Sequence, residues 1–201
     1  PAVGAVQEIA RRVTALNNSR QIALAYNTFA NSGSSSRNIT TGGSGSLNVS
    51  DVEGFARILA QRGGLNDGSV WYIPSDPALA ADINAINSIG QVVDDPTDRS
   101  VTTTNLNVSP ISWAVAVNQP VNAEASTTPI CWTRGHEGAS GFWEEDSPWE
   151  GEGGHIAFLD GHASWYEETT DQLVNHGSSS GGEATDIADA VRGQSNILED
   201  S

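Results

Sequence analysis

Residues 153–166, Gly-Gly-His-Ile-Ala-Phe-Leu-Asp-Gly-His-Ala-Ser-Trp-Tyr, constrain this chain more than any other stretch. Two short alternating runs flank Asp160-Gly161, the dipeptide favoured by a two-residue type I′ hairpin turn, in which both central residues take positive φ. Such a turn predicts Leu159 opposite His162, Ala157 opposite Ser164 and His155 opposite Tyr166. Ile156, Phe158, Ala163 and Trp165 would then share one apolar face. The histidines fall on the wetter side, about four rungs apart, or roughly 13 Å at about 3.3 Å per residue. That separation excludes a shared zinc ion, whose ligands sit within about 2.0–2.3 Å. The expectation is a hairpin laid on a core, with Asp160 and Gly161 as its turn.

The rest of the chain supplies a core for it. Val3, Val6, Ile9, Val13 and Leu16 recur every three or four positions, and Ile22, Leu24, Tyr26 and Phe29 continue the apolar content. This is the pattern of one long amphipathic helix over 2–31, stopped by Asn31-Ser32-Gly33. Ser50-Asp51-Val52-Glu53 has capping-box spacing ahead of Phe55, Ile58 and Leu59, and Gly63-Gly64 closes that second helix. Residues 70–73 read as a short extended segment, and Ser75-Asp76-Pro77 opens a short helix running toward Ile86. Residues 112–118 and 129–134 read as strands. The class is α+β: a long N-terminal helix packed on a small antiparallel sheet, rich in loops. Three regions follow, a helix over 1–31, a globular head over 32–176, and a flexible Gly/Ser linker with tail over 177–201.

Charge narrows the function. The chain of 201 residues carries a formal charge of −16, with nine arginines and no lysine. It is uneven: residues 1–63 hold six arginines against three acids, and the remainder holds three against twenty-two. An acidic body of this kind repels nucleic acid and anionic membrane surfaces, while attracting divalent cations. The single Cys131 allows no intrachain disulfide and lies in an apolar run, as a buried small hydrophobe.

Several of these stretches resemble one family. Pro148-Trp149, a Gly-rich step and then Gly-His-Ile-Ala-Phe-Leu-Asp-Gly-His resemble the C-terminal signature of bacterial pilin-like proteins. These are the type II secretion pseudopilin-like proteins with a prepilin-type leader and an H-X9-DG motif; the motif's histidine falls on Glu150 here. Asn17-Asn18-Ser19-Arg20-Gln21-Ile22-Ala23-Leu24-Ala25-Tyr26 is similar to the part of a pilin helix that follows its membrane-embedded half. Phe55-Ala56-Arg57-Ile58-Leu59, Ser75-Asp76-Pro77 and Cys131-Trp132-Thr133-Arg134-Gly135 add to the likeness, in family order. The resemblance implies a pilin-like fold and a structural subunit of an extracellular or periplasmic helical filament, either a type IV pilus-like fibre or a secretion pseudopilus. It implies self-association, through Val3, Val6, Ile9, Val13 and Leu16, and membrane contact only through an apolar segment and leader ahead of Pro1.

No enzyme motif competes. There is no G-x-S-x-G elbow or phosphate loop, and adjacent carboxylates such as Glu144/Glu145 point to opposite faces of a strand. The expectation is a non-enzyme that requires no cofactor. Calcium is the one candidate ion, because it takes six to eight oxygen ligands. Glu144, Asp146, Glu150 and Glu152 form one candidate loop and Asp94, Asp95 and Asp98 another, neither with EF-hand spacing; related pseudopilins use calcium to fix a C-terminal loop. The alternative function is a stand-alone calcium- or carbohydrate-binding surface module, with exposed Trp143 and Trp149 among the carboxylates as its site.

Overall fold

The computed structural model describes residues 2–33, 35, 37–177, 181–191 and 196–200. Helix α1 (Ala2–Asn31) runs 30 residues, roughly 45 Å at about 1.5 Å per residue. Its C-terminal half buries Ala15, Ser19, Ile22, Ala23, Ala25, Tyr26 and Phe29. Helix α2 (Val52–Arg62) packs beside it, with the Tyr26 and Phe55 rings stacked at 5.9 Å and the edge of Trp71 meeting Phe55 at 6.4 Å. The cap of α2 is Asp51 rather than Ser50: its carboxylate accepts the Gly54 N–H at 2.7 Å, while Glu53 turns away to accept from Thr104. The extended segment expected at 70–73 is a 3₁₀ turn, Gly68–Trp71, capped by Asp67. The helix expected to run from Asp76 toward Ile86 is split into a 3₁₀ turn, Pro77–Leu79, and α3 (Ile83–Ser88).

The sheet under α1 is antiparallel throughout. Its strands are β1 (Trp113–Val117), β2 (Pro129–Thr133), β3 (Gly154–Phe158), β4 (Ala163–Tyr166) and β7 (Asn196–Leu198), in the spatial order β4-β3-β2-β1-β7. Strands β1, β2 and β3 are buried at every position, as continuous apolar runs covered on both faces must be. The α+β class and the long helix on an antiparallel sheet are therefore borne out.

The hairpin is present, but shifted by one residue. Gly154 pairs with Tyr166, His155 with Trp165, Ile156 with Ser164, and Ala157 with Ala163. The Phe158 N–H donates to the His162 carbonyl and the Gly161 N–H to the Phe158 carbonyl, both at 2.9 Å, and Gly161 has φ +90°. This is a three-residue loop, Leu159-Asp160-Gly161, in which only the glycine is left-handed. Asp160 keeps negative φ and accepts the His162 N–H at 3.0 Å. Because pairing has a period of two, the slip redistributes the faces. Ile156 and Phe158 lie on one side, with Phe158 stacked on His162 at 4.4 Å. His155, Ala157, Ala163 and Trp165 lie on the other, toward α1. His155 is buried, not on a wet face, and the two histidines occupy opposite faces.

The tail corrects a second expectation. Strands β5 (Leu173–Val174) and β6 (Glu183–Ala184) pair, and the short α4 (Ile187–Ala190) buries Ile187 and Ala190. Strand β7 then completes the main sheet beside β1, with the Glu199 carboxylate accepting the Gly135 N–H at 2.7 Å and Asp200 the Ile111 N–H at 3.1 Å. The described part of 177–201 is built into the fold; Ser178, Ser179 and Ser180 of the expected linker lie outside the described residues.

Candidate functional site

Helix α1 has two apolar sides. At 3.6 residues per turn, the buried set from Ala15 to Phe29 faces the sheet and α2. Val6, Ile9, Val13 and Leu24 fall on the opposite side and remain 66, 62, 50 and 53% exposed. Leu16 lies between the two, partly buried against the core. The Val3 side chain lies outside the described residues. In the first three turns the usual arrangement is inverted, with charge on the inner side and hydrocarbon on the outer.

That inner side ends in a collar. The Arg12 guanidinium stands 4.1 Å from the centre of the Trp165 ring and 5.8 Å from Trp149. It also donates to Glu8 at 3.0 Å and pairs with Glu152. Beneath it Trp149, His155 and Trp165 meet edge to face, with centroids 5.0–5.6 Å apart. Burial in this aromatic box pushes the His155 pKa down to about 4, a hydrogen bond to the Arg12 backbone opposes the shift, and the nearby guanidinium reinforces it; the ring is neutral at pH 7. The loop reaches the box because Gly153 and Gly154 have no side chains. A Cβ on Gly153 would sit 2.3 Å from the Tyr166 carbonyl oxygen, and one on Gly154 would sit 2.4 Å from the Trp143 ring. The box marks the point where α1 leaves the body.

A buried ion pair holds the same loop from below. Arg134, 5% exposed, donates to both carboxylate oxygens of Asp76, 1% exposed, at 2.7 and 3.2 Å. Ser112 and the Ala78 N–H also donate to Asp76, so the buried charge is hydrogen-bonded all round. A third Arg134 bond, 2.8 Å to the Asp146 carbonyl, anchors the turn that leads to Trp149. Thus Ser75-Asp76-Pro77 and Cys131-Trp132-Thr133-Arg134-Gly135, which carry part of the resemblance, meet in one contact. Nothing in a 58-residue separation announces that pair.

The candidate calcium residues do not converge. Among the described residues no group of three or more His, Cys, Asp or Glu side chains is placed to hold a metal ion. Asp95 accepts from Thr97 and Asp98 from Ser100, hydrogen bonds that hold both carboxyls below their ordinary values, while Asp94 accepts from Asn105. Glu150 and Glu152 face Glu8 and Arg11 across a cleft, Glu144 and Asp146 are exposed, and Glu150 sits at φ +51°. The two tryptophans offered as an exposed binding platform are both 4% exposed: Trp143 donates to the Thr133 carbonyl and Trp149 belongs to the box. That platform does not exist on the folded surface. Sequence reasoning reached the outer stripe of α1 but missed the collar, because nothing in the Arg11-Arg12 pair says that Arg12 is the one to reach Trp165.

No helix among the described residues is long and apolar enough to cross a membrane. No protein-family profile, curated protein or solved structure matches the chain.

Proposed function

We propose that this chain is a structural subunit of a helical filament outside the cytoplasm, either a type IV pilus-like fibre or a type II secretion pseudopilus. The observation that carries the reading is the stripe of Val6, Ile9 and Val13 standing off the body on a helix whose inner side is charged. Burying such side chains fully is worth roughly 1.5–3 kcal/mol each, and the isolated subunit leaves most of that unrealised. A neighbouring copy of the same helix supplies the missing surface. The collar gives the stripe a fixed angle to the head, which a repeating contact requires. The acidic head then faces outward, where like charge keeps filaments apart. No chemistry is performed; the work is mechanical, and partners are further copies or related subunits.

The test is electron microscopy of the native gene product sheared from cells, beside an Ile9→Glu variant whose soluble form is shown to fold. Thin regular filaments from the natural protein, absent from the variant, are the expected result. Filaments of unchanged abundance from Ile9→Glu would overturn the stripe as a subunit contact.

A further inference from the structure

Four of the nine arginines gather near the C-terminal end of α1. Arg57 and Arg62 lie on α2, whose closing Gly63 sits so near α1 that an added Cβ would stand 2.5 Å from the Ala25 carbonyl oxygen. Arg99 belongs to the loop that Gln61 of α2 holds, through hydrogen bonds of 3.0 Å to the Asp98 and Val101 carbonyls. The Arg37 guanidinium stands 5.6 Å from the centre of the Phe29 ring. Arg99 is exposed and the other three are half-buried. None forms an ion pair among the described residues, and the hydrogen bonds of Arg37, Arg57 and Arg62 go to neutral oxygens of Ser32, Gln61, Val101 and Ser46. Carboxylates close in sequence are turned elsewhere: Asp51 caps Gly54, Glu53 accepts from Thr104, and Asp95 and Asp98 accept from Thr97 and Ser100. Burial lowers the Arg62 pKa first, and the positive charges of Arg99, Arg37 and Arg57 lower it further.

The opposite sign gathers nearer the N-terminal end of the same helix. Glu144, Glu145, Asp146, Glu150 and Glu152 are all exposed, on the loop that meets α1 at Arg12. Arg12 pairs with Glu8 and Glu152, and Arg134 is buried against Asp76. Glu144, Glu145 and Asp146 therefore have no ion pair among the described residues. The Glu144 pKa is raised, by burial first and then by the charge and hydrogen bonding of Asp146 and the charge of Glu137, with Arg134 opposing. From Arg12 to Ala25 the helix advances roughly 20 Å, at about 1.5 Å per residue. One molecule thus carries an arginine patch and a carboxylate patch at separate levels of α1.

We propose that the arginine patch docks the 144–146 carboxylates of a second copy of this chain. The patch calls for a partner with clustered, exposed carboxylates that lack cations of their own, and the chain presents such a cluster itself. Because two different patches meet, the contact is heterologous: each copy at the end of a row keeps one patch free, and the row stays open. It adds a contact between filament subunits but does not rest on the filament reading, since Val6, Ile9 and Val13 take no part. Salt should act on it in both directions. At about 0.1 M the Debye length is about 10 Å, shorter than the spacing of the patches, so each patch senses mainly the one facing it. At about 0.01 M it is about 30 Å, and two copies of charge −16 repel as wholes. At about 1 M it is about 3 Å, and the contact itself is screened.

The test is sedimentation velocity of the 201-residue chain across that range of sodium chloride. The association constant should peak near about 0.1 M, at least about fivefold above either extreme. Arg62→Glu with Arg99→Glu should abolish self-association, and so, separately, should Glu144→Arg with Glu145→Arg. The second variant is less negative than the natural chain, so its loss reads the contact and not the net charge. An equimolar mixture of the two variants should associate again, because each carries the patch that the other lacks. Arg99→Glu alone serves if the first double variant fails to fold. Association that is absent, or that rises steadily with salt as an apolar stripe would make it, overturns the proposal and leaves the filament reading standing. Unchanged association in either double variant, or none in their mixture, also overturns it. Heparin bound by a chain that stays monomeric would assign the patch to a polyanion instead. Loss of filaments in Ile9→Glu bears on the stripe alone.

Discussion

The two halves of α1 share a helix and a similar content of apolar residues, but place them oppositely. Residues 15–29 turn Ile22, Tyr26 and Phe29 inward onto the sheet and α2, all at 3% exposure or less. Residues 4–14 turn Val6, Ile9 and Val13 outward and put Glu8, Arg11 and Arg12 over the body. One half is a core element of a folded domain. The other has the face of a core element with no core against it. Apolar content alone therefore does not say whose core a helix serves; the side facing the chain's own sheet does. The boundary between the halves is the box of Trp149, His155 and Trp165 under Arg12.

The sharpest way to break this comparison is to truncate one residue in each half. Phe29→Ala is expected to cost the monomer about 3–5 kcal/mol in urea denaturation, the price of a large buried ring. Ile9→Ala should stay within about 0.5 kcal/mol in the same measurement, as exposed substitutions do. If both cost the same, the halves are not distinct.

Acid should act next, through the boundary. His155 has a folded-state pKa below its ordinary 6.5, so the stability it contributes is complete above that pH and is lost as pH falls toward about 4. Denaturation between pH 6.5 and 5 should show a loss approaching about 1.4 kcal/mol per pH unit from this ring. His155→Phe should flatten that slope. His136, whose pKa burial also lowers to about 4, adds a part that remains in the variant.

Arg12→Ala comes third. Losing the contact with Trp165 should cost about 1 kcal/mol and raise amide hydrogen exchange in residues 4–14 while leaving 15–29 protected. Uniform loosening of the whole helix would place the boundary elsewhere.

Much of this was legible in sequence. The helix over 2–31, the strands and the hairpin follow from periodicity, turn residues and punctuation. The hairpin register was not, because Asp-Gly serves both a two-residue turn and the left-handed end of a three-residue loop. Which one forms depends on β2, where Cys131 pairs with Ala157, and on Asn27, which donates to the Leu159 carbonyl at 3.1 Å. The terminal strand β7 was hidden behind a Gly/Ser stretch that reads as linker, and three residues carry too little pattern to declare a strand. The Arg134–Asp76 pair and the aromatic box depend on long-range packing, which spacing along a chain does not encode. The outer stripe was legible as apolar spacing, and its exposure only from the fold.

The central claim, that the outer stripe is covered by another copy, is tested most directly by maleimide labelling of an Ile9→Cys variant in the native gene product. Cys131 is fully buried and stays silent, with its thiol pKa raised by desolvation, so position 9 reports alone. Labelling in material sheared from cells should be at least about tenfold slower than in dispersed monomer, the two differing only in what covers the stripe. Equal rates in both would contradict the account.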